Sequence, residues 1–171
     1  MTNQLSPDGI MNLGLGFWGS KTLLTAIELG IFTELAKNEL GIDELVKRFN
    51  LNSRGAKDFF DALVALGVLK RECTIYSNSP EADMFLDKAK SSYVGGMLEM
   101  ANLRLYRFWG NLTNALLTGK PQNELKDGDS FFTKVYSEPA RLKGFLKAMT
   151  AISFGANVSI ANKFNWKDYN T

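Results

Sequence analysis

Histidine is missing from all 171 residues, cysteine occurs once and proline only four times. The first absence removes imidazole, the commonest general acid/base near neutral pH, so any chemistry within this chain runs without it. Cys73 cannot close an internal disulfide alone, and with no CxxC pair or Cys/His cluster the usual structural zinc site is excluded. No metal site is expected, and a reducing, intracellular home is the default. No apolar run approaches the roughly 18 residues that would span a bilayer. The start, Met1 to Asp8, has neither the basic opening nor the apolar stretch of a signal peptide. A soluble, cytoplasmic chain with no membrane partner is the expectation. One-sided charge is scarce too: 20 Lys+Arg against 18 Asp+Glu leaves +2 and a pI near 8.6, which does not demand nucleic acid.

What is present is apolar and helical in pattern. With 45% hydrophobic and 12% aromatic residues the chain can bury an ordinary core. At about 100–200 residues per domain it is one domain or one and a half. Leu23, Leu24, Ile27, Ile31, Phe32 and Leu35 recur at three- and four-residue steps and make one buried stripe. Ser6-Pro7-Asp8 reads as a helix start, with a helix to about Trp18 and a second from about Ser20 to Leu29, ended by Gly30. Ile42–Phe49 reads as a short amphipathic helix closed by Asn50. Asn52-Ser53 caps the next, whose apolar face is Ala56, Phe59, Phe60, Leu63, Val64 and Leu66, and Gly67 stops it. Val68 to Tyr76 alternates well enough for a short strand and turn. This order matches a winged helix-turn-helix.

From about Glu81 the helices carry larger residues. A long helix is expected from about Ser92 to Leu117, holding Met100 and Trp109. A polar loop from Gln122 to Asp129, a helix near Ser130–Tyr136 and a final helix from about Ala140 to Lys163 follow. The expected domains are thus 1–80 and 81–171.

Three patterns invite a chemical reading. Gly14-Leu-Gly16-Phe-Trp-Gly19 matches GxGxxG, but no core strand precedes it and no alternating β/α pattern follows, so close helix approach is the better reading than nucleotide binding. The winged-helix order suggests DNA binding by the helix starting at Ser53. Against that, Ile42 to Pro80 holds six basic and five acidic residues, with Asp58 and Asp61 on that helix's polar side, whereas a groove-reading helix normally shows a clear positive surplus. The aromatic and Met-rich positions of the last helices would suit either an apolar ligand cavity or an ordinary core. No nucleophile can be paired with a nearby base, and no catalytic residue is assigned.

Three stretches together resemble one family. Trp18 to Ala36, with Ala26-Ile-Glu-Leu-Gly30-Ile-Phe32, resembles its opening helix pair. Ile42 to Leu69, ending Leu63-Val-Ala-Leu-Gly-Val-Leu69, resembles the wing module that follows. Phe145-Leu-Lys-Ala-Met149, ahead of Phe164-Asn165-Trp166, resembles a later helix and its Phe-Asp/Asn-Trp segment. The family is the S-adenosylmethionine-dependent O-methyltransferases of the caffeate and acetylserotonin type. The resemblance implies a mainly α fold, with a winged-helix-like dimerisation module, then a helical substrate-cap region, and no Rossmann-like catalytic domain. It implies a homodimer formed through the N-terminal helices and the winged-helix module, with a small phenolic or polyketide-like acceptor as ligand. By position, Phe145, Met149, Met100 and Trp109 fall on substrate-binding places, while Tyr136 and Ser153 fall on cofactor-contacting ones. Phe145, Met149 and Ser153 are four apart and share one helix face. The cofactor implied is S-adenosyl-L-methionine, bound negligibly by this segment, which is expected to be inactive alone although the intact protein is an enzyme. The alternatives are a winged-helix transcription regulator or a truncated, non-catalytic dimer partner.

Overall fold

The computed structural model describes residues 5–123 and 131–168, without the side chains of residues 131, 134 and 168. The expected polar loop therefore lies almost wholly outside the described residues. The chain divides into two compact units, Met1–Asp83 and Met84–Thr171, each described by itself.

The first unit begins with α1 (Asp8–Leu29), one unbroken helix and not two. The expected break near Gly19 does not occur because the polar residues there bond back into the helix. Ser20 donates to the Gly16 carbonyl at 3.2 Å and Thr22 to that of Trp18 at 2.8 Å. Gly30, at φ 78°, caps it in the left-handed conformation and turns the chain into α2 (Ile31–Leu35). Leu24, Ile27, Ile31, Phe32 and Leu35 are buried, as the stripe predicts.

A two-residue strand β1 (Leu40–Gly41) leads into α3 (Ile42–Arg48), where the Glu44 carboxylate accepts the Gly41 N–H at 3.2 Å. Helix α4 (Ser53–Ala65) is capped by Asn52, whose Oδ1 accepts the Arg54 N–H at 3.0 Å, and it buries Ala56, Phe60 and Leu63. Strands β2 (Leu69–Glu72) and β3 (Ile75–Asn78) form an antiparallel hairpin, with β1 on the far side of β3. Cys73, exposed and at φ 55°, sits in the turn. Tyr76 ties this wing to α4: its ring lies 5.5 Å from that of Phe60 and its hydroxyl donates to Asp61 at 2.7 Å. Helix α5 (Pro80–Leu86) crosses the boundary between the units.

In the second unit the expected long helix is interrupted. α6 (Gly95–Met100) passes into a π-helical segment at Ala101–Leu105, then α7 (Tyr106–Trp109), a turn at Gly110-Asn111, and α8 (Leu112–Thr118). A π turn widens the ring of backbone bonds, which apolar periodicity does not report. Gly119, at φ 65°, ends α8. Then come α9 (Phe131–Ser137) and α10 (Pro139–Lys163), which opens with proline at its first position, and a single 3₁₀ turn at Trp166–Asp168.

α6 and α10 pack closely because Gly96 has no side chain. A Cβ there would lie 2.9 Å from the Lys147 carbonyl oxygen. A charged knot locks this crossing. Glu99 accepts from Lys147 Nζ at 2.7 Å and from the Tyr93 hydroxyl at 2.7 Å, and pairs with Lys88 at 2.8 Å.

Candidate functional site

The α6/α10 crossing opens into a cleft of about 140 Å³ lined by Met100, Leu103, Arg104, Arg141, Gly144 and Phe145, with Gly96, Glu99 and Ala140 completing the wall. Local sequence explains the lining. Met100 and Arg104 are four apart on one wall, and Arg141 and Phe145 are four apart on the other, so each pair shares a helix face. Gly144 keeps the floor open, since a Cβ there would meet nothing within 4 Å.

The structure thus brings Met100 and Phe145 together. Met149, one turn beyond Phe145, is half-buried, and Ser153 is exposed, its hydroxyl donating to the Met149 carbonyl at 2.6 Å. Trp109 belongs elsewhere. It is 73% exposed and lines a second cleft of about 310 Å³ with Leu105, Phe108, Leu112, Ala115, Gln122 and Asn123. Tyr136 is 65% exposed and stacks on Phe132 at 6.2 Å between ring centroids. Two residues of the first cleft, Arg104 and Arg141, were not singled out from the sequence. Their signal was their four-residue spacing from Met100 and Phe145.

Electrostatics at the cleft follow from Glu99. Burial opposes ionisation of its carboxyl, but the hydrogen bonds from Lys147, Lys88 and Tyr93 outweigh that and pull it down to about 2. Burial, then the facing Glu99 carboxylate, pushes the Tyr93 phenol far above its ordinary value. Glu99 is therefore an anion, and Tyr93 a neutral donor, throughout the neutral range.

The Ser153 donor is used within its own helix, and the Tyr136 ring is largely open to water. Among the described residues no group of His, Cys, Asp or Glu could hold a metal ion, and no helix is long and apolar enough to cross a membrane.

A second surface stands out in the first unit. The leading half of α1 exposes Ile10, Met11, Leu13, Leu15, Phe17 and Trp18, with Leu13 at 85% and Trp18 at 62%. At about 100° per residue these positions spread over an arc of about 200°, with Asn12, Gly16 and Gly19 on the remaining side. The expectation that the α1 glycines admit a neighbouring helix holds at Gly19, where a Cβ would lie 3.2 Å from Leu66 Cδ2. Gly14 and Gly16 have nothing within 4 Å.

A winged-helix-like module followed by a helical cap, with no Rossmann-like domain among the described residues, defines the dimerisation half of the O-methyltransferase fold. Residues 11–88 match the O-methyltransferase dimerisation domain. The chain is 42% identical over 171 residues to the tetracenomycin polyketide synthesis 8-O-methyl transferase TcmO of Streptomyces glaucescens, covering 99% of this chain and 50% of that protein. It is 28% identical over 147 residues to the 3-hydroxy-5-methyl-1-naphthoate 3-O-methyltransferase of Streptomyces sahachiroi, covering 86% and 42% respectively. The crystal structure of human N-acetylserotonin methyltransferase in complex with SAM superposes with a TM-score of 0.82 at 21% identity, over 97% of this chain and 51% of that one. The chain spans about half the length of the curated relatives it matches.

Proposed function

We propose that this chain is the dimerisation and acceptor-pocket half of an S-adenosylmethionine-dependent O-methyltransferase acting on a hydroxyl of a small phenolic or polyketide-like molecule. The single observation that carries the reading is the cleft joining Met100 to Phe145, an apolar slot inside a chain whose length aligns with half of a polyketide O-methyltransferase. Residues 1–80 form the dimerisation domain and 81–171 the cap. S-adenosylmethionine supplies an electrophilic methyl group. This chain's own residues do other work: Met100, Leu103 and Phe145 hold the acceptor ring, and their apolar walls keep water from the reacting hydroxyl. Met149 extends that acceptor surface, Trp109 offers acceptor contact in the separate second cleft, and Tyr136 and Ser153 serve the cofactor. The chain alone is inactive.

The homodimer forms through the apolar first half of α1. A helix that exposes so wide an apolar arc calls for a partner surface. The exposed, unpaired Cys73 suits a reducing cytoplasm.

The test is transfer of labelled methyl from S-adenosylmethionine to a panel of hydroxynaphthoates and hydroxyanthraquinones by the whole gene product. Transfer to at least one acceptor is expected, with KM raised by Phe145→Ala more than kcat is lowered. No transfer to any of them overturns the reading. The winged-helix order of α3, α4 and the hairpin favours DNA as a second reading, but Lys57 and Arg71 are both ion-paired to Asp61. Anisotropy on duplex DNA at low salt, where phosphate contacts are strongest, separates the two.

A further inference from the structure

Two glycines line the α6/α10 cleft, and packing explains only one of them. Gly96 is required, because a Cβ there would lie 2.9 Å from the Lys147 carbonyl oxygen and 3.1 Å from Lys147 Cγ. At Gly144 a Cβ would meet nothing within 4 Å. The backbone does not call for glycine either, since residue 144 lies inside α10 and lacks the positive φ of Gly30, Gly67 and Gly119. A glycine inside a helix is less favourable than alanine because it has more backbone freedom to lose, so the fold alone would be better served by a side chain. What the missing side chain leaves is space in the cleft. The α10 wall there is Ala140, Arg141, Gly144 and Phe145, and Met100 and Leu103 stand on the facing side. A helical side chain leans toward the helix N-terminus, so a larger residue at 144 would lie over Ala140, one turn earlier, and fill the slot. The cleft volume, about 140 Å³, is below the roughly 300–1,000 Å³ of pockets that enclose a whole ligand. It admits one end of a molecule, and each carbon added to its wall counts.

We propose that Gly144 is the residue that sets acceptor size: its missing side chain admits a fused-ring end of an aromatic acceptor, and a larger residue there restricts the cleft to a single ring. The inference rests on the acceptor reading above and adds the residue that selects the ring system. Met100 adapts to a flat ring and Phe145 packs against one, so the walls recognise the ligand by shape and buried area. Discrimination then follows from volume, since one methylene in an apolar pocket decides about 10–200-fold in specificity. No charged group of the cleft has to touch the ligand.

Amide-shift titration of the 171-residue chain with phenol and with 1-naphthol tests it. In the native chain 1-naphthol is expected to bind about tenfold tighter, as burial of the second ring allows. The shifts should fall within residues 96–104 and 140–145. Gly144→Leu should weaken 1-naphthol about tenfold and phenol less than about twofold, at the low end of the range because the slot is open on one side. Gly144→Ala should weaken 1-naphthol about threefold while raising stability in urea. Those opposite signs separate ligand space from folding, and this variant keeps the test decisive if the leucine variant fails to fold. Gly155, equally open and about 16 Å further along α10, is the control: Gly155→Leu should change neither affinity. Equal weakening of both probes by Gly144→Leu, an unchanged affinity for 1-naphthol, shifts elsewhere or no binding of 1-naphthol to the native chain would overturn the proposal. Methyl transfer by the whole gene product with the same ring-size preference in native and Gly144→Leu forms sinks this inference alone. A preference that moves in binding, without methyl transfer to any hydroxyarene, sinks the acceptor reading alone.

Discussion

Replacing Glu99 by glutamine should remove an acid-sensitive part of the second unit's stability. The native carboxyl titrates at about 2 instead of its ordinary 4.5. At about 1.4 kcal/mol per unit of pKa, that difference sets a ceiling of about 3.5 kcal/mol. Lys88 and Lys147 are 38% and 44% exposed, and solvent screening brings the expected contribution to about 1–2 kcal/mol. Because the native pKa lies below the unfolded one, the stabilisation is fully present above about pH 4.5 and is lost as pH falls from there through 2. The gap between native chain and Glu99→Gln should therefore be about 1–2 kcal/mol at pH 7 and close toward zero near pH 2. Amide exchange at Ala148 is the right assay. That residue is fully buried on α10, so its opening reports on this unit, independently of Asp61 in the other, whose carboxyl is also held at about 2. A gap that stays constant with pH, or none at pH 7, would refute the linkage argument.

Two glycines on the same crossing should respond in opposite senses. Gly96→Ala forces a Cβ against the Lys147 carbonyl and should cost about 1–3 kcal/mol, while Gly144→Ala meets nothing within 4 Å and should add about 0.5–1 kcal/mol through helix propensity; urea melts of both variants check the pair. Tyr76→Phe removes the hydroxyl donated to Asp61 and should destabilise the wing by about 1 kcal/mol, visible as faster amide exchange in β2 and β3. The combined change of Ile10, Leu13 and Trp18 to serine should shift the chain from dimer to monomer in sedimentation at micromolar concentration. A native chain that already sediments as a monomer would count against the α1 interface.

Local punctuation was legible in the sequence, because caps depend on single residues. Gly30, Asn52 and Gly119 end or begin helices where their chemistry says they should. The core stripe from Leu24 to Leu35 was legible for the same reason, periodicity being a local property. Three features were not. The continuity of α1 depends on backbone bonds from Ser20 and Thr22 that look like loop formers in a string of letters. β1 is two residues long and exists only because β3 lies beside it. The Glu99–Lys147 pairing joins residues 48 apart, and nothing local announces it. The site divides along the same line. Phe145 and Met149 share a face by arithmetic, whereas the meeting of Met100 with Phe145, and the separation of Trp109 from both, depend on how α6 crosses α10 and on the π turn after it.

That π turn makes the region unusually tolerant of a lost codon. Deleting a single residue between Ala101 and Leu105 would let the backbone relax to ordinary α spacing and leave Tyr106 to Thr118 at nearly the same rotation about the axis, because the π turn spends an extra residue on the same angle. Gly96, Glu99 and Met100 would keep their places against α10, and Phe108, Trp109 and Leu112 would still face Gln122 and Asn123. Lineages that lost one residue here could thus keep both the second cleft and the charged knot at Glu99 in place.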